Sequence, residues 1–197
     1  TAPTLSSVSL ASSNTNDTSK AGVGDNIVLT FTADEPIRTP SVSFESGGAA
    51  ISTTPSYDNI TGETWTATYV VNSNDTAGAV TYSIEFEDTN AGVATAYTSN
   101  TGTAVTSGSG SVTLDTTAPT LATVAAISSP SANVTPSFVF SSDEAGTITS
   151  SLSVLFSTSS LATSGNNTIT FNALGEGTYS GETVTVTDAS GNPGSVT

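Results

Sequence analysis

Apolar residues occupy every second position in several short stretches of the chain, and this pattern predicts β-strands. A period of two places alternate side chains on opposite faces of a strand, so that one face is buried while the other meets solvent. The clearest stretches are residues 27–31, 65–71, 80–86, 138–140, 169–171 and 184–186. No stretch shows the 3.6-residue period of an amphipathic helix. The pattern therefore predicts an all-β protein.

Clusters of Gly, Asn, Asp and Ser separate these stretches, for example at residues 46–48 and 72–75. These residue types favour turns. Short strands with frequent turns are typical of antiparallel sandwiches, and we predict two tandem immunoglobulin-like β-sandwich domains. Residues 97–110 fit either a flexible loop or an additional strand, and residues 150–165 give no clear strand assignment.

The phrase Thr-Ala-Pro-Thr occurs at residues 1–4 and again at residues 117–120. Internal repeats indicate repeated structural units. The inner copy follows Asp115 and Thr116, and its proline favours extended backbone before it, as expected for a short, stiff linker. We therefore predict a longer domain over residues 1–115 and a shorter domain over residues 116–197. Because the chain starts within a repeated phrase, we expect it to be part of a longer protein.

The composition indicates a folded protein with small cores. Apolar residues make up 35% of the chain, below the usual share of about 45–50%, but only 10% of residues are charged. Cysteine, methionine and histidine are absent. Without cysteine the chain has no disulfides, thiolate zinc sites or thiol nucleophiles, and without histidine it lacks the commonest general base. A bound metal ion is a candidate to stiffen domains of this kind.

The formal net charge is −15, and Lys20 and Arg38 are the only basic residues. A nucleic-acid partner requires Lys and Arg that displace counterions from phosphates, and an anionic membrane surface would repel the chain. We therefore expect no nucleic-acid partner. We also expect no membrane insertion, since no stretch approaches the roughly 18 apolar residues that span a bilayer. The acidity serves solubility alone or reflects carboxylates that converge on a hard cation.

Acidic residues recur at equivalent places in the two halves. An Asp-Glu pair follows the first strong strand of each domain, and an Asp with Asn and Gly nearby follows the last one. In an immunoglobulin-type sandwich these positions are the B–C and F–G loops, which lie at one end of the domain. The chain also enters the domain at that end, so Asp115 is predicted to approach the acidic loops of domain two. The predicted metal ligands are Glu35, Asp88, Asp115, Glu144 and Asp188, followed by Asp34, Asp143 and Asn192.

Calcium is the predicted ion. Carboxylates within a few ångströms repel one another unless they are protonated or bridged by a cation. Oxygen ligands without His or Cys select Ca²⁺ over transition metals, with backbone carbonyls and water completing the shell. The alternative is that Asp, Asn and Gly occur here only because they favour turns. The counterpart of Asp115 for domain one would precede Thr1, so that site is expected to be incomplete in this sequence.

These motifs resemble the bacterial immunoglobulin-like (Big-type) extender repeats of giant repeats-in-toxin adhesins and biofilm-associated surface proteins. The resemblance rests on Asp-Thr-Thr-Ala-Pro-Thr at residues 115–120, on the Glu after strand B, and on Thr-Asp-Ala-Ser-Gly-Asn at residues 187–192. It covers nearly all of domain two. Domain one is similar to a longer variant at residues 23–31 and 64–69, but departs from the usual Asp-x-x-Gly-Asn order at residues 88–92.

The resemblance implies a non-catalytic spacer, rigidified by calcium, that projects a terminal binding module from a bacterial cell surface for adhesion or biofilm formation. It implies a monomeric rod that contacts neighbouring repeats of the same chain, while other domains contact carbohydrate or a host ligand. It also implies export by a type I system whose signal lies far downstream. The alternatives are a module that itself binds carbohydrate or protein, and a surface-layer or enzyme-appended module.

No acid–base or nucleophile constellation is present, so we predict that the chain is not an enzyme. Glu85 and Glu87 resemble a glycosidase pair only in spacing, and solvation of a shared strand face is favoured. Trp65 and Tyr69 fit either a sugar platform or, as we favour, the core.

Two further features concern local structure. Tyr179 is predicted to form a tyrosine-corner hydrogen bond. Asp17 and Asp25 flank an Asn-rich loop that is a weaker candidate for a further ion.

Overall fold

The computed structural model describes residues 3–87, 89, 97–100, 110–152 and 154–197, the backbone alone for 97–100. In this part of the chain all regular secondary structure is β, which confirms the predicted fold class. The chain divides into two compact units, Thr1–Thr116 and Thr117–Thr197, here called domain one and domain two. Among the described residues there is no helix of the length and apolarity that a membrane span requires.

Domain one is a sandwich of two sheets. Its strands are β1 (Leu5–Ser12), β2 (Lys20–Ala21), β3 (Asn26–Ala33), β4 (Ser41–Ser46), β5 (Ala49–Ala50), β6 (Ser56–Asn59), β7 (Thr64–Val70), β8 (Gly78–Phe86), β9 (Tyr97–Asn100) and β10 (Thr113–Leu114). One sheet has the order β1-β3-β7-β6, and the other has the order β2-β10-β8-β4-β5 with β9 also on β8. Only the β2–β10 pair is parallel among the described pairs. These orders correspond to the two sheets of an immunoglobulin domain.

The core of domain one lies between the inward faces of the two sheets. In β3 the residues Ile27, Leu29 and Phe31 are all fully buried, as their alternation predicts. Trp65 and Tyr69 of β7 are buried as well, which confirms that they belong to the core. The Tyr69 ring lies 4.9 Å from the ring of Phe44 in the opposite sheet.

The first of the two stretches without an assignment contains an additional strand. β9 pairs antiparallel with β8, from Ser83↔Asn100 to Phe86↔Tyr97. Residues 101–109 lie outside the described part of the chain.

Domain two is a smaller, antiparallel sandwich. Its strands are β11 (Leu121–Ala125), β12 (Ser137–Ser142), β13 (Gly146–Ser150), β14 (Leu161–Ala162), β15 (Gly165–Thr170), β16 (Val184–Thr187) and β17 (Pro193–Val196). One sheet has the order β11-β12-β15 and the other has the order β14-β13-β16-β17. Phe140, Ile169 and Val186 are completely buried between the sheets.

The second stretch without an assignment, residues 150–165, combines short pieces of strand. β13 ends at Ser150, β14 covers only Leu161–Ala162, and β15 begins at Gly165. Between them, Phe156 forms an isolated bridge with Phe171, and their rings pack edge to face at 5.4 Å. Irregular pairing of this kind leaves no period of two for the sequence to display.

Removing a core ring should unfold domain two selectively. Phe140→Ala deletes a side chain with no exposed surface, which costs about 3–5 kcal/mol in comparable cores. We expect the melting temperature of domain two, measured by calorimetry, to fall sharply. Trp65 is the only tryptophan and lies in the core of domain one. The unfolding temperature measured by its fluorescence should therefore be unchanged.

Phe31→Ala provides the matched control, because Phe31 is equally buried in domain one and its loss should move the tryptophan transition. Equal shifts of the Trp65 transition in both variants would contradict independent cores.

Candidate metal site

Three segments of the chain meet at one end of domain two because of its strand register. Leu121 pairs with Ser142, which places the start of β11 beside the end of β12. Thr187 pairs with Thr147 on one side and with Pro193 on the other. The connection from β12 to β13, the turn from β16 to β17 and the segment that leads into β11 are therefore neighbours.

Asp188 is held rigidly by the turn between β16 and β17. Its side chain is only 6% exposed, and a buried carboxylate requires hydrogen-bond donors. Its Oδ1 accepts the backbone N–H groups of Ser190 at 2.8 Å and Asn192 at 2.9 Å, and its Oδ2 accepts the Asn192 side-chain amide at 2.9 Å. Gly191 completes the turn with a φ of +91°, which few other residues adopt. The motif Asp-Ala-Ser-Gly-Asn thus encodes a self-supporting turn.

Glu144 lies across from this turn in the connection between β12 and β13. The buried Ser142 hydroxyl donates to the Glu144 carbonyl oxygen at 2.7 Å and fixes the backbone at this position. Two residues later, a Cβ on Gly146 would lie 2.4 Å from the Thr187 carbonyl oxygen. Only glycine permits this close approach, which brings the Glu144 and Asp188 segments together.

The segment before β11 is fixed by a second glycine and by Asp143. A Cβ on Gly194 would lie 1.8 Å from the Pro119 carbonyl oxygen, so the absence of a side chain lets the segment lie against β17. Thr120 N–H donates to Asp143 Oδ1 at 2.7 Å, while Asp143 N–H donates back to the Thr120 carbonyl oxygen at 3.2 Å. The hydrogen bonds from the Thr120 backbone and side chain lower the pKa of Asp143.

Domain one contains the same reciprocal pair. Thr4 N–H donates to Asp34 Oδ1 at 2.7 Å and the Thr4 hydroxyl donates to Oδ2 at 2.8 Å. Asp34 N–H donates back to the Thr4 carbonyl oxygen at 3.0 Å, and the hydrogen bonds from Thr4 lower the pKa of Asp34. The last Thr of the repeated Thr-Ala-Pro-Thr phrase and the repeated Asp are therefore hydrogen-bond partners in both domains.

Glu144 and Asp188 lie close together in domain two. Each offers one carboxylate oxygen, and the two oxygens lie within 4.8 Å of each other. Two oxygens bound to one Ca²⁺ at about 2.3–2.6 Å lie at most roughly 5 Å apart, so this spacing fits a shared calcium ion. Asp188 is buried and Glu144 is half-buried. Asp115 is half-buried in domain one, where its N–H donates to the Ala21 carbonyl oxygen at 2.9 Å. Like charges 4.8 Å apart repel by about 1 kcal/mol per pair in water and by roughly 3 kcal/mol at the effective dielectric of a protein surface.

The remaining predicted ligands occupy other positions. Asn192 is hydrogen-bonded to Asp188, whereas Asp143 is hydrogen-bonded to Thr120. In domain one Asp34 is bonded to Thr4 and Glu35 is half-buried. Asp88 lies outside the described residues. As metal ligands, all eight residues stay predictions.

Domain one brings its equivalent loops together differently. Arg38 Nη1 lies 3.4 Å from Glu87 Oε2, and the Thr89 hydroxyl donates to the Pro36 carbonyl oxygen at 3.4 Å. A basic side chain therefore faces the acidic one in domain one. Domain two has no lysine or arginine at all, since both basic residues of the chain lie before residue 39.

The other candidate residues have local roles. Asp17 accepts the Ser19 N–H and hydroxyl at 2.9 and 2.6 Å, and Asp25 accepts the Gly22 N–H at 2.9 Å, as in ordinary turns. The Tyr179 hydroxyl donates to the Gly175 carbonyl oxygen at 2.9 Å, which confirms the predicted hydrogen bond. Glu85 is exposed on the outer face of β8.

Asp75 is a buried carboxylate that the sequence analysis missed. It is 5% exposed and accepts the backbone N–H groups of Ser52 at 2.9 Å and Asn72 at 2.8 Å. Burial raises its pKa, but the hydrogen bonds from Asn72 and Ser52 outweigh burial and lower the pKa overall. The only sequence signal is an ordinary Asn-x-x-Asp turn, which does not reveal burial.

The strand order and paired sheets define the class of this protein: it is built of immunoglobulin-like β-sandwich domains. Among solved structures, a DUF4785 family protein from Legionella pneumophila aligns with 97% of this chain at 9% identity and a TM-score of 0.41. The chain spans 55% of the length of that protein.

Titin is a second neighbour. An I-band fragment of titin aligns with 99% of this chain and 63% of its own length at 15% identity and a TM-score of 0.38. A tandem of titin Ig domains aligns with 99% of this chain and 93% of its own length at 10% identity and a TM-score of 0.29. No protein-family model matches the chain, and no curated protein matches it in sequence.

The bond between Thr120 and Asp143 predicts a stability change that depends on pH. A pKa below the usual value of about 3.9 means that the folded state favours ionised Asp143. The resulting stabilisation is present above about pH 4 and is lost as the pH falls through the lower folded-state pKa. We expect Asp143→Asn to lower the melting temperature of domain two at pH 7, and the difference from the unsubstituted protein to shrink below about pH 4.

Asp34→Asn tests the equivalent pair and should lower the transition of domain one with the same pH dependence. A difference that stays constant from pH 7 to pH 2.5 would contradict this account.

Proposed function

We propose that this chain is a calcium-stiffened, non-catalytic extender segment of a large bacterial cell-surface adhesin. In this proposal Ca²⁺ binds at the acidic end of domain two and fixes the peptide that leads into it. The observation that carries the proposal is the proximity of the Glu144 and Asp188 carboxylates, which lie within 4.8 Å of each other. Asp115 is the proposed third ligand.

The absence of any basic residue from domain two supports an external cation. Glu144 and Asp188 are close together there, and the sequence after residue 116 contains no Lys, Arg or His. Hydrogen bonds compensate Asp188 for its burial, but they do not remove its charge. A bound divalent ion would convert the mutual repulsion of these two groups into attraction to a common centre.

The chemistry of the donors favours Ca²⁺ in particular. Carboxylate and carbonyl oxygens are ligands for hard cations. Mg²⁺ requires near-ideal octahedral geometry at about 2.0–2.1 Å, whereas Ca²⁺ accepts six to eight oxygens in flexible arrangements. Irregular turns that present a few carboxylates suit the less demanding ion, with water completing the shell.

The mechanical part of the proposal follows from the place of Asp115 in the sequence. Asp115 precedes domain two, while Glu144 and Asp188 belong to loops of that domain, so an ion bound by all three would tie the connecting segment to the sandwich. Repeated along a longer chain, such ties would produce a rod that contacts its neighbouring repeats and holds a terminal binding module away from the bacterial surface. Immunogold labelling of intact cells with an antibody to this chain tests the extracellular location.

Calcium should stabilise domain two. We expect Ca²⁺, added to the chelator-treated protein, to raise the melting temperature of domain two; a ligand at 100 times its Kd contributes about 2.7 kcal/mol. Scanning calorimetry measures the shift, and small-angle scattering should show a longer particle in Ca²⁺ than in chelator. Equal melting temperatures in both conditions would refute the calcium site.

Glu144→Gln separates a metal ligand from an ordinary turn residue. In chelator the variant should melt higher than the unsubstituted protein because one repelling charge is gone, and in Ca²⁺ its stabilisation should be lost. Asp143→Asn is the matched control. Asp143 is adjacent to Glu144, but its side chain bonds Thr120. This variant should therefore melt lower in chelator and still show the full rise in melting temperature with Ca²⁺. A normal calcium shift in Glu144→Gln would show that Glu144 is not a ligand.

A further inference from the structure

Domain two contains a cleft between two connections. Residues 126–136 link β11 to β12, and residues 171–183 link β15 to β16. The cleft has a volume of about 750 Å³, within the range of roughly 300–1,000 Å³ that is usual for ligand sites. Core side chains such as Phe138, Phe171 and Val184 line it, whereas neither Glu144 nor Asp188 does.

Exposed apolar side chains surround this cleft. Ile127 is 39% exposed, Val134 is 57% exposed and Tyr179 is 46% exposed, and all three line the same concavity. A single exposed apolar residue needs no explanation. Several around one opening, continuous with core side chains at its base, are typical of an interaction site.

The walls of the cleft are held together by hydrogen bonds. Leu174 N–H donates to the Val134 carbonyl oxygen at 2.8 Å, which joins the two connections directly. The Tyr179 hydroxyl donates to the Gly175 carbonyl oxygen at 2.9 Å within one wall. A partner that docks against a preformed wall loses less free energy to ordering than one that must assemble it.

Carboxylates determine the charge of the cleft. Glu176 and Glu182 both line it, and Glu182 is fixed because its Oε2 accepts the Ser151 hydroxyl at 2.6 Å. Ser151 Oγ in turn accepts the Thr183 N–H at 2.8 Å. With no Lys or Arg in domain two, nothing basic in that domain opposes these charges.

We propose that this cleft docks a partner protein segment that carries a large apolar side chain beside a lysine or arginine. The apolar base and rim would bury the apolar side chain, and Glu176 and Glu182 would face the basic one. A second copy of this chain is a poor occupant because each copy carries a net charge of −15, and like charges oppose association.

A pair of peptides tests the proposal on the full chain. The probe is the blocked peptide Gly-Arg-Leu-Arg-Gly, and its acidic counterpart is Gly-Glu-Leu-Glu-Gly. In titrations followed by amide NMR shifts, we expect the basic peptide to perturb residues of the cleft and the acidic one to leave them unchanged. Shifts by the acidic peptide as large as those by the basic one would overturn the basic-partner proposal, as would concentration-dependent self-association through the cleft.

Variants at the rim locate the interaction. Ile127→Ser with Val134→Ser removes exposed apolar surface while the backbone bond between Leu174 and Val134 remains, and it should weaken the basic peptide about tenfold. Glu176→Gln with Glu182→Gln should weaken it roughly fivefold, as expected for two exposed ion pairs. Ile60→Ser, at a 59% exposed site in domain one, and Glu45→Gln with Glu85→Gln are the matched controls and should leave the affinity unchanged.

Equal weakening by the control variants, or none by the rim variants, would overturn the proposal. This test is independent of the calcium proposal. If the cleft proposal holds and the calcium proposal does not, the peptide titration gives the same affinity in Ca²⁺ and in chelator.

Discussion

The burial of one apolar face per strand between two sheets is the constraint on which the rest of each domain depends. The chain has no cysteine, so no covalent bond holds the sheets together. In domain two the buried core consists of Phe138, Phe140, Ile148, Ala162, Ile169, Phe171, Val184 and Val186. Each large side chain contributes about 1.5–3 kcal/mol when fully buried. A core of this size therefore cannot lose one of them without a large loss of stability. The positions of these side chains fix the strand ends, and the strand ends fix the loops.

The two ends of domain two illustrate different consequences of that constraint. At one end a tight turn closes around Asp188 and brings carboxylates together, because each loop is short and bonded to its own backbone. At the other end the connections are long, and they leave core side chains such as Phe138 and Val184 at the base of a cleft. Both ends concentrate negative charge without any basic residue in the same domain. Our two proposals share this feature: each places a cation beside these charges, an ion at one end and a basic side chain of a partner at the other.

Comparison of the two domains shows which parts of the repeat are structural. The Thr4–Asp34 and Thr120–Asp143 pairs have the same geometry and the same lowered aspartate pKa, so they serve the fold in both domains. The loops beyond them differ. Domain one places Arg38 against Glu87, whereas domain two places Glu144 near Asp188. An acidic loop residue is thus paired with a basic side chain in domain one, while domain two has no lysine or arginine in its sequence.

The amino-acid sequence by itself determined the all-β class, the buried stripes of β3, β7 and β8, and the tyrosine-corner hydrogen bond of Tyr179. These depend on local periodicity and on short-range turn chemistry, which a linear sequence displays. It did not reveal β1 and β4, whose many serines hide the alternation, nor the burial of Asp75.

Only the tertiary structure decided that Asp143 bonds Thr120 while Glu144, its neighbour, lies near Asp188, and only the tertiary structure formed the cleft. Adjacent residues in a loop point in different directions. Their partners lie tens of residues away, so strand register and the close approaches permitted by Gly146 and Gly194 select which side chains meet.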